Sequence, residues 1–107
     1  MSEHAVVLMT APDAACAERI ARALVEEQLA ACVNVLPEMK SIYRWEGKVE
    51  ESREVLLVAK TRSSLFPSLE ARVRALHPYQ VPEIVSLPLT EGSRPYLSWV
   101  DDSVLHA

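Results

Sequence analysis

The chain has 107 residues, with 11 Lys and Arg against 15 Asp and Glu, for a formal net charge of −4. That length fits one modest domain, residues 1–107. The acidic balance, without any basic run, argues against nucleic acid and anionic membrane as partners, and no apolar stretch is long enough to span a bilayer. Half the residues are apolar and only two are glycine, which suits a packed fold. The start, Met1-Ser-Glu-His, lacks the basic residues and apolar core of a signal peptide, so a cytoplasmic protein is expected. Cys16 and Cys32 do not make a disulfide framework and read as small, reduced, apolar side chains.

His4 to Thr10 (HAVVLMT) predicts a buried strand. A helix is expected to start near Pro12, with Asp13 favoured in its first turn by the helix dipole. Cys16, Ile20, Ala23 and Leu24 form its apolar stripe, and Glu26 to Gln28 close it with no glycine to cap the end. Leu29 to Leu36 leads into a long β-hairpin, interrupted at Pro37, where a bulge or an exposed edge is expected.

The hairpin runs from Ser41 to Thr61. Ser41, Tyr43 and Trp45 share one face by alternation. Gly47 marks the turn, because a tight turn needs positive φ. A two-residue loop at Glu46-Gly47 sets Trp45 opposite Lys48 and Tyr43 opposite Glu50, whereas a three-residue loop with a glycine bulge shifts that register by one. Glu50, Glu51, Arg53 and Glu54 are too polar for a core, while Val55 to Ala59 is apolar on both faces and reads as a central strand. Such a ribbon is longer than one small domain can cover. Its aromatic tip therefore implies pairing with other copies of the chain.

Ser63 or Ser64 is expected to cap a second helix with Phe66, Leu69, Val73 and Leu76 on one face. His77-Pro78 stops it. A proline-stiffened loop leads to a strand from Glu83 to Leu89. Gly92-Ser93 opens a short helix bearing Tyr96, Trp99 and Val100, and a frayed tail is expected from Asp101. The order βαββαβ plus a terminal helix predicts an α+β, ferredoxin-like split β-α-β sandwich with a long central hairpin. Its helices cover one sheet face, and the bare face again calls for an oligomer.

The motifs of enzymes are missing. The sequence has no glycine-rich phosphate loop, no Gly-x-Ser-x-Gly elbow, no His-Glu-x-x-His and no Cys-x-x-Cys, so a non-enzymatic protein is expected. Candidate polar groups lie elsewhere. His77, Tyr79 and Glu83 share the stiff loop, where His77 is either a metal ligand or a cap for the last carbonyls of its helix. Lys60 ends an apolar strand and needs a partner, for which Glu83 is a candidate. Lys60, Tyr43, Trp45, Glu50, Tyr79 and Glu83 are carried as candidates for a ligand cleft between subunits, although Tyr43 and Trp45 also suit plain interface packing. His4 and His106 are terminal and receive no role.

Thr10-Ala-Pro-Asp13, Leu29-Ala-Ala-Cys-Val-Asn34, Ser41-Ile-Tyr-Arg-Trp-Glu-Gly-Lys48, Lys60-Thr61, His77-Pro-Tyr-Gln-Val-Pro-Glu83 and Tyr96-Leu-Ser-Trp99 resemble, in order and spacing, the CutA divalent-cation tolerance family. The resemblance implies a ferredoxin-like protomer, a homotrimer joined through the hairpins, and a cytoplasmic role in tolerance of copper and other divalent ions without an organic cofactor. It also implies kinship with PII-like trimers, which suggests the alternative of a sensor that binds a small anionic metabolite between subunits. Copper binding in the family is attached to a cysteine just before the Thr-Ala-Pro-Asp motif and to paired histidines before Pro-Tyr. Here those positions hold Met9, and Leu76 with His77. The metal candidates are accordingly His77, Met9 and Glu83.

Overall fold

Residues 3–106 are described in a computed structural model of the chain. The first strand, β1, spans His4–Ala11. Ala5, Val7, Met9 and Ala11 are buried on one side of it. The first helix, α1, spans Ala14–Glu26. Asp13 sits just before the helix rather than in its first turn. It is extended and caps the helix, its Oδ1 accepting from the Cys16 N–H at 2.8 Å. The far end solves the missing-glycine problem with Gln28, which adopts φ 60. The Gln28 N–H reaches the Val25 carbonyl at 3.1 Å and the Leu29 N–H reaches the Leu24 carbonyl at 2.8 Å. That pair of bonds, with Leu24 and Leu29 both buried, is a Schellman cap built without glycine.

The first arm of the hairpin is two strands, β2 (Cys32–Val35) and β3 (Met39–Trp45), which pair along one long strand, β4 (Lys48–Arg62). Val35 pairs with Leu57 and Met39 with Glu54. Leu36, Pro37 and Glu38 therefore face only Val55 and Leu56, which is a bulge at the proline. At the tip, Glu46 and Gly47 take φ 50 and φ 80. Two positive φ angles in succession define the two-residue turn that suits a twisted hairpin. Of the two open registers it selects Trp45 opposite Lys48 and Tyr43 opposite Glu50.

A single 3-10 turn, Ser63–Leu65, precedes the second helix, α2 (Phe66–Leu76). The expected serine cap is thus displaced: Leu65 occupies the cap position, without a side-chain bond, and Pro67 stands in the first turn. The last strand, β5, spans Ile84–Pro88, and the last helix, α3, spans Arg94–Ser103. Through Leu105 the tail is not frayed as expected, and Ala107 lies outside the described residues. Asp101 lies within α3, Val104 is buried, and the Leu105 N–H donates to the Gln28 carbonyl at 2.9 Å. His4, given no role from sequence, bonds Asp101 at 2.8 Å through Nε2, and Arg62 bonds the same carboxylate.

The sheet order is β2-β4-β1-β5, all neighbours antiparallel, with β3 continuing the ladder along β4. This is the expected ferredoxin-like sandwich. One face carries Val7, Met9, Leu57 and Ala59 against Ile20 and Leu24 of α1 and Leu69 and Val73 of α2. The other face follows from the register. Val6 pairs with Lys60 and Leu87, and Leu8 with Val58 and Val85. At one end of this face α3 covers Ala31 and Leu65 with Val100 and Val104. Beyond α3 the face is open, and Val85 and Leu87 are about half exposed at 47% and 50%.

Candidate functional site

The stiff loop after α2 positions the site. His77 leaves the helix extended, as the residue before a proline must. Its ring turns back to the end of β1. Nε2–H donates to the Thr10 carbonyl at 2.6 Å, and Nδ1 accepts from the Tyr79 N–H at 3.1 Å. Those two bonds together require the neutral ring with its proton on Nε2. They also hold the Tyr79 ring at 4.7 Å, centroid to centroid, tilted against the imidazole. Tyr79 in turn donates its hydroxyl to Glu54 Oε2 at 3.1 Å.

Glu54, read from sequence as too polar for a core, is the surprise. It is only 8% exposed. No Lys, Arg or His pairs with it among the described residues, and Tyr79 is its one side-chain hydrogen-bond partner. Glu54 also lines the space in front of Tyr79. Partial burial, the bond to Glu54 and the charge of Glu54 all disfavour a phenolate, and they push the Tyr79 hydroxyl up to about 12.

That space is a groove of about 660 Å³ between the hairpin and the loop. Tyr43 and Trp45 line it from β3, Glu54 from β4, and Tyr79 and Glu83 from the loop, with Thr10 and Ser41 also on its walls. No Lys or Arg lines it. The only buried side-chain polar atom without a partner, among the described residues, is Ser52 Oγ, on the same face two residues before Glu54.

Of the expected site residues, the structure gathers Tyr43, Trp45, Tyr79 and Glu83 in this groove. Glu50 pairs with Tyr43 across the ladder but is exposed and does not line it. Lys60 is elsewhere. It bonds Asn34 Oδ1 and lies 3.7 Å from Cys32 Sγ, at the α3 end of the sheet, so Glu83 is not its partner. Met9 is 1% exposed in the main core and presents nothing to an ion. His77 lies behind the groove: its backbone N–H caps α2 at the Val73 carbonyl, while both ring nitrogens are engaged as a strut between β1 and the loop and not with the last carbonyls of the helix. The three expected metal ligands therefore do not converge. Among the described residues no group of three or more His, Cys, Asp or Glu could hold a metal ion. Sequence reasoning missed Glu54, Thr10 and Ser41. For Glu54 the register places it on the face of Ser41 and Tyr43, but its burial comes from Tyr79, which no alternation pattern marks.

Residues 5–103 match the family described as CutA1 divalent ion tolerance protein. The divalent-cation tolerance protein CutA of Thermus thermophilus is 57% identical, covering 92% of this chain and 95% of its own length. A solved structure from that organism superposes with a TM-score of 0.93 at 55% identity, covering 94% of this chain and 98% of its own. The structure of a protein named the periplasmic divalent cation tolerance protein CutA of Archaeoglobus fulgidus gives 0.92 at 41% identity, over 95% and 99%. The chain spans about half the length of the human and mouse proteins named CutA that it matches. By family match, by identity over nearly its whole length and by fold, the chain belongs to the CutA1 divalent ion tolerance family.

Proposed function

We propose that the chain is a non-enzymatic, cytoplasmic homotrimer that takes part in divalent-ion tolerance by binding a cation in the Glu54 groove. One observation carries the cation: Glu54, only 8% exposed, lines the groove with no basic partner and with the Tyr79 phenol as its one side-chain hydrogen-bond partner among the described residues. A buried charge without a counter-charge is costly, and a bound cation removes that cost. Glu83 adds a second carboxylate to the same groove. Carboxylate and phenol oxygens are hard donors, which suit manganese or magnesium and do not suit soft Cu(I). The alternative of a small anionic metabolite finds no Lys or Arg on the groove walls to receive it.

The trimer rests on the open sheet face. Leu87 and Val85, with Val6, Leu8, Leu56 and Val58 beside them, present an apolar surface that one copy leaves to solvent. Calorimetric titration of Mn(II) and of Cu(II) into wild type, Glu54→Gln and His77→Ala tests the reading. Mn(II) binding is expected to weaken about tenfold or more in Glu54→Gln, the range for losing a charged hydrogen-bond partner. Equal Mn(II) affinity in wild type and Glu54→Gln, or no binding of either metal by wild type, contradicts it.

A further inference from the structure

The groove walls carry more information than its charge. Three of the five Tyr and Trp residues of the chain line it. Tyr43 and Trp45 come from the same face of β3, two residues apart, and Tyr79 comes from the loop across from them. Aromatic faces are not ligands for a bare divalent ion, which needs several oxygen, nitrogen or sulfur atoms close around it. One protomer lines the groove with two carboxylates, two phenols and the alcohols Thr10 and Ser41, and among the described residues no three His, Cys, Asp or Glu side chains come together to hold a metal ion. Aromatic faces do attract a cation that keeps apolar substituents and sheds water easily. A single buried carboxylate with aromatic walls is the arrangement that fits such an ion.

We propose that the groove takes an organic ammonium ion, with Glu54 as counter-ion and the rings of Tyr43, Trp45 and Tyr79 as its walls. This rests on the reading of the groove as a cation site and narrows the class of cation. The site is largely formed in advance. His77 fixes Tyr79 through the Tyr79 N–H, and the Tyr79 hydroxyl fixes one oxygen of Glu54, a residue of the groove wall. The paired strands hold Tyr43 and Trp45 in register with Glu50 and Lys48 on the hairpin. At about 660 Å³ the groove has room for the headgroup and the chain attached to it.

Choline and its uncharged carbon isostere, 3,3-dimethylbutan-1-ol, separate charge from shape. The full-length protein with Trp99→Phe leaves Trp45 as the only tryptophan, and its emission reports the groove directly. Choline is expected to change that emission saturably at constant ionic strength, and the isostere to bind about tenfold more weakly or not at all. Glu54→Gln should lose choline binding by a similar factor, and Glu54→Asp, which keeps the charge, should recover part of it. Sedimentation and melting of each variant confirm that the fold is retained, while the comparison of the two ligands on the parent protein needs no variant at Glu54. Equal binding of choline and the isostere overturns the ammonium ion as ligand. Glu54-dependent Mn(II) binding without any choline response overturns it too, while leaving the cation groove intact. Failure of both Mn(II) and choline removes the groove as a cation site altogether.

Discussion

At the scale of single residues, the account turns on a short relay: Thr10 carbonyl, His77 ring, Tyr79, Glu54. Each member holds the next, and the last is the buried charge. The raised Tyr79 hydroxyl gives a direct readout. In an alkaline absorbance titration, Tyr79→Phe should remove a tyrosine component with a midpoint at about 12. The sign for stability follows. Tyr79 resists ionising in the folded chain but ionises at its ordinary value of 10 when unfolded. Its contribution is therefore complete below pH 10 and is lost as pH rises from 10 to about 12. The Tyr79→Phe variant should show less of that alkaline loss in melting experiments across this window, and an identical loss would contradict the relay. Gln28 makes a second prediction at this scale. A residue with a Cβ at positive φ is strained, so Gln28→Gly should stabilise by about 0.5–1 kcal/mol, a rise of a few degrees in Tm. Neither effect was legible in the sequence. Gln28 carries no mark of an αL residue, and the burial of Glu54 depends on a loop that lies 25 residues away in the chain.

At the scale of elements, alternation and turn chemistry made most of the fold readable. The apolar run from Val55 to Ala59 and the glycine at position 47 located β4 and its turn, and Pro37 marked the bulge that divides β2 from β3. What alternation could not show was which polar residue of the long strand would meet another element. α3 illustrates the same limit. Its last turn looked like a tail because Asp101 and Asp102 are polar. Yet Asp101 is clamped to the start of β1 and the end of β4 by His4 and Arg62. The hydrogen bond from His4, reinforced by the bond and charge of Arg62, holds the Asp101 carboxyl below its ordinary range. The stabilisation from this clamp is present above the ordinary carboxylate pKa and disappears as pH falls through the lowered value in the folded chain. Asp101→Asn should therefore melt below wild type at neutral pH, with the difference vanishing in strong acid. A difference that persists unchanged into strong acid would show that the ion pairs are not what holds α3 down.

At the scale of the whole molecule, the chain is an elongated body of 44 × 25 × 24 Å, with one sheet face packed under two helices and the other open beyond α3. The bare face was legible from the strand and helix order alone, because two split βαβ units place their crossover helices on one side. The groove was half legible. Its aromatic wall and Glu83 stood in recognisable motifs, whereas its central charge did not. Both the face and the groove lead to the same claim, that copies of this chain complete each other. Sedimentation velocity from nanomolar to micromolar concentration, on wild type and on Leu87→Asp, tests it most directly. Leu87 is half exposed in a single copy, so the substitution leaves the protomer fold intact and places a charge on the face proposed for a neighbour. The account predicts a stable three-chain species for wild type and a folded single chain for Leu87→Asp. A wild type that sediments as a folded single chain at micromolar concentration contradicts it.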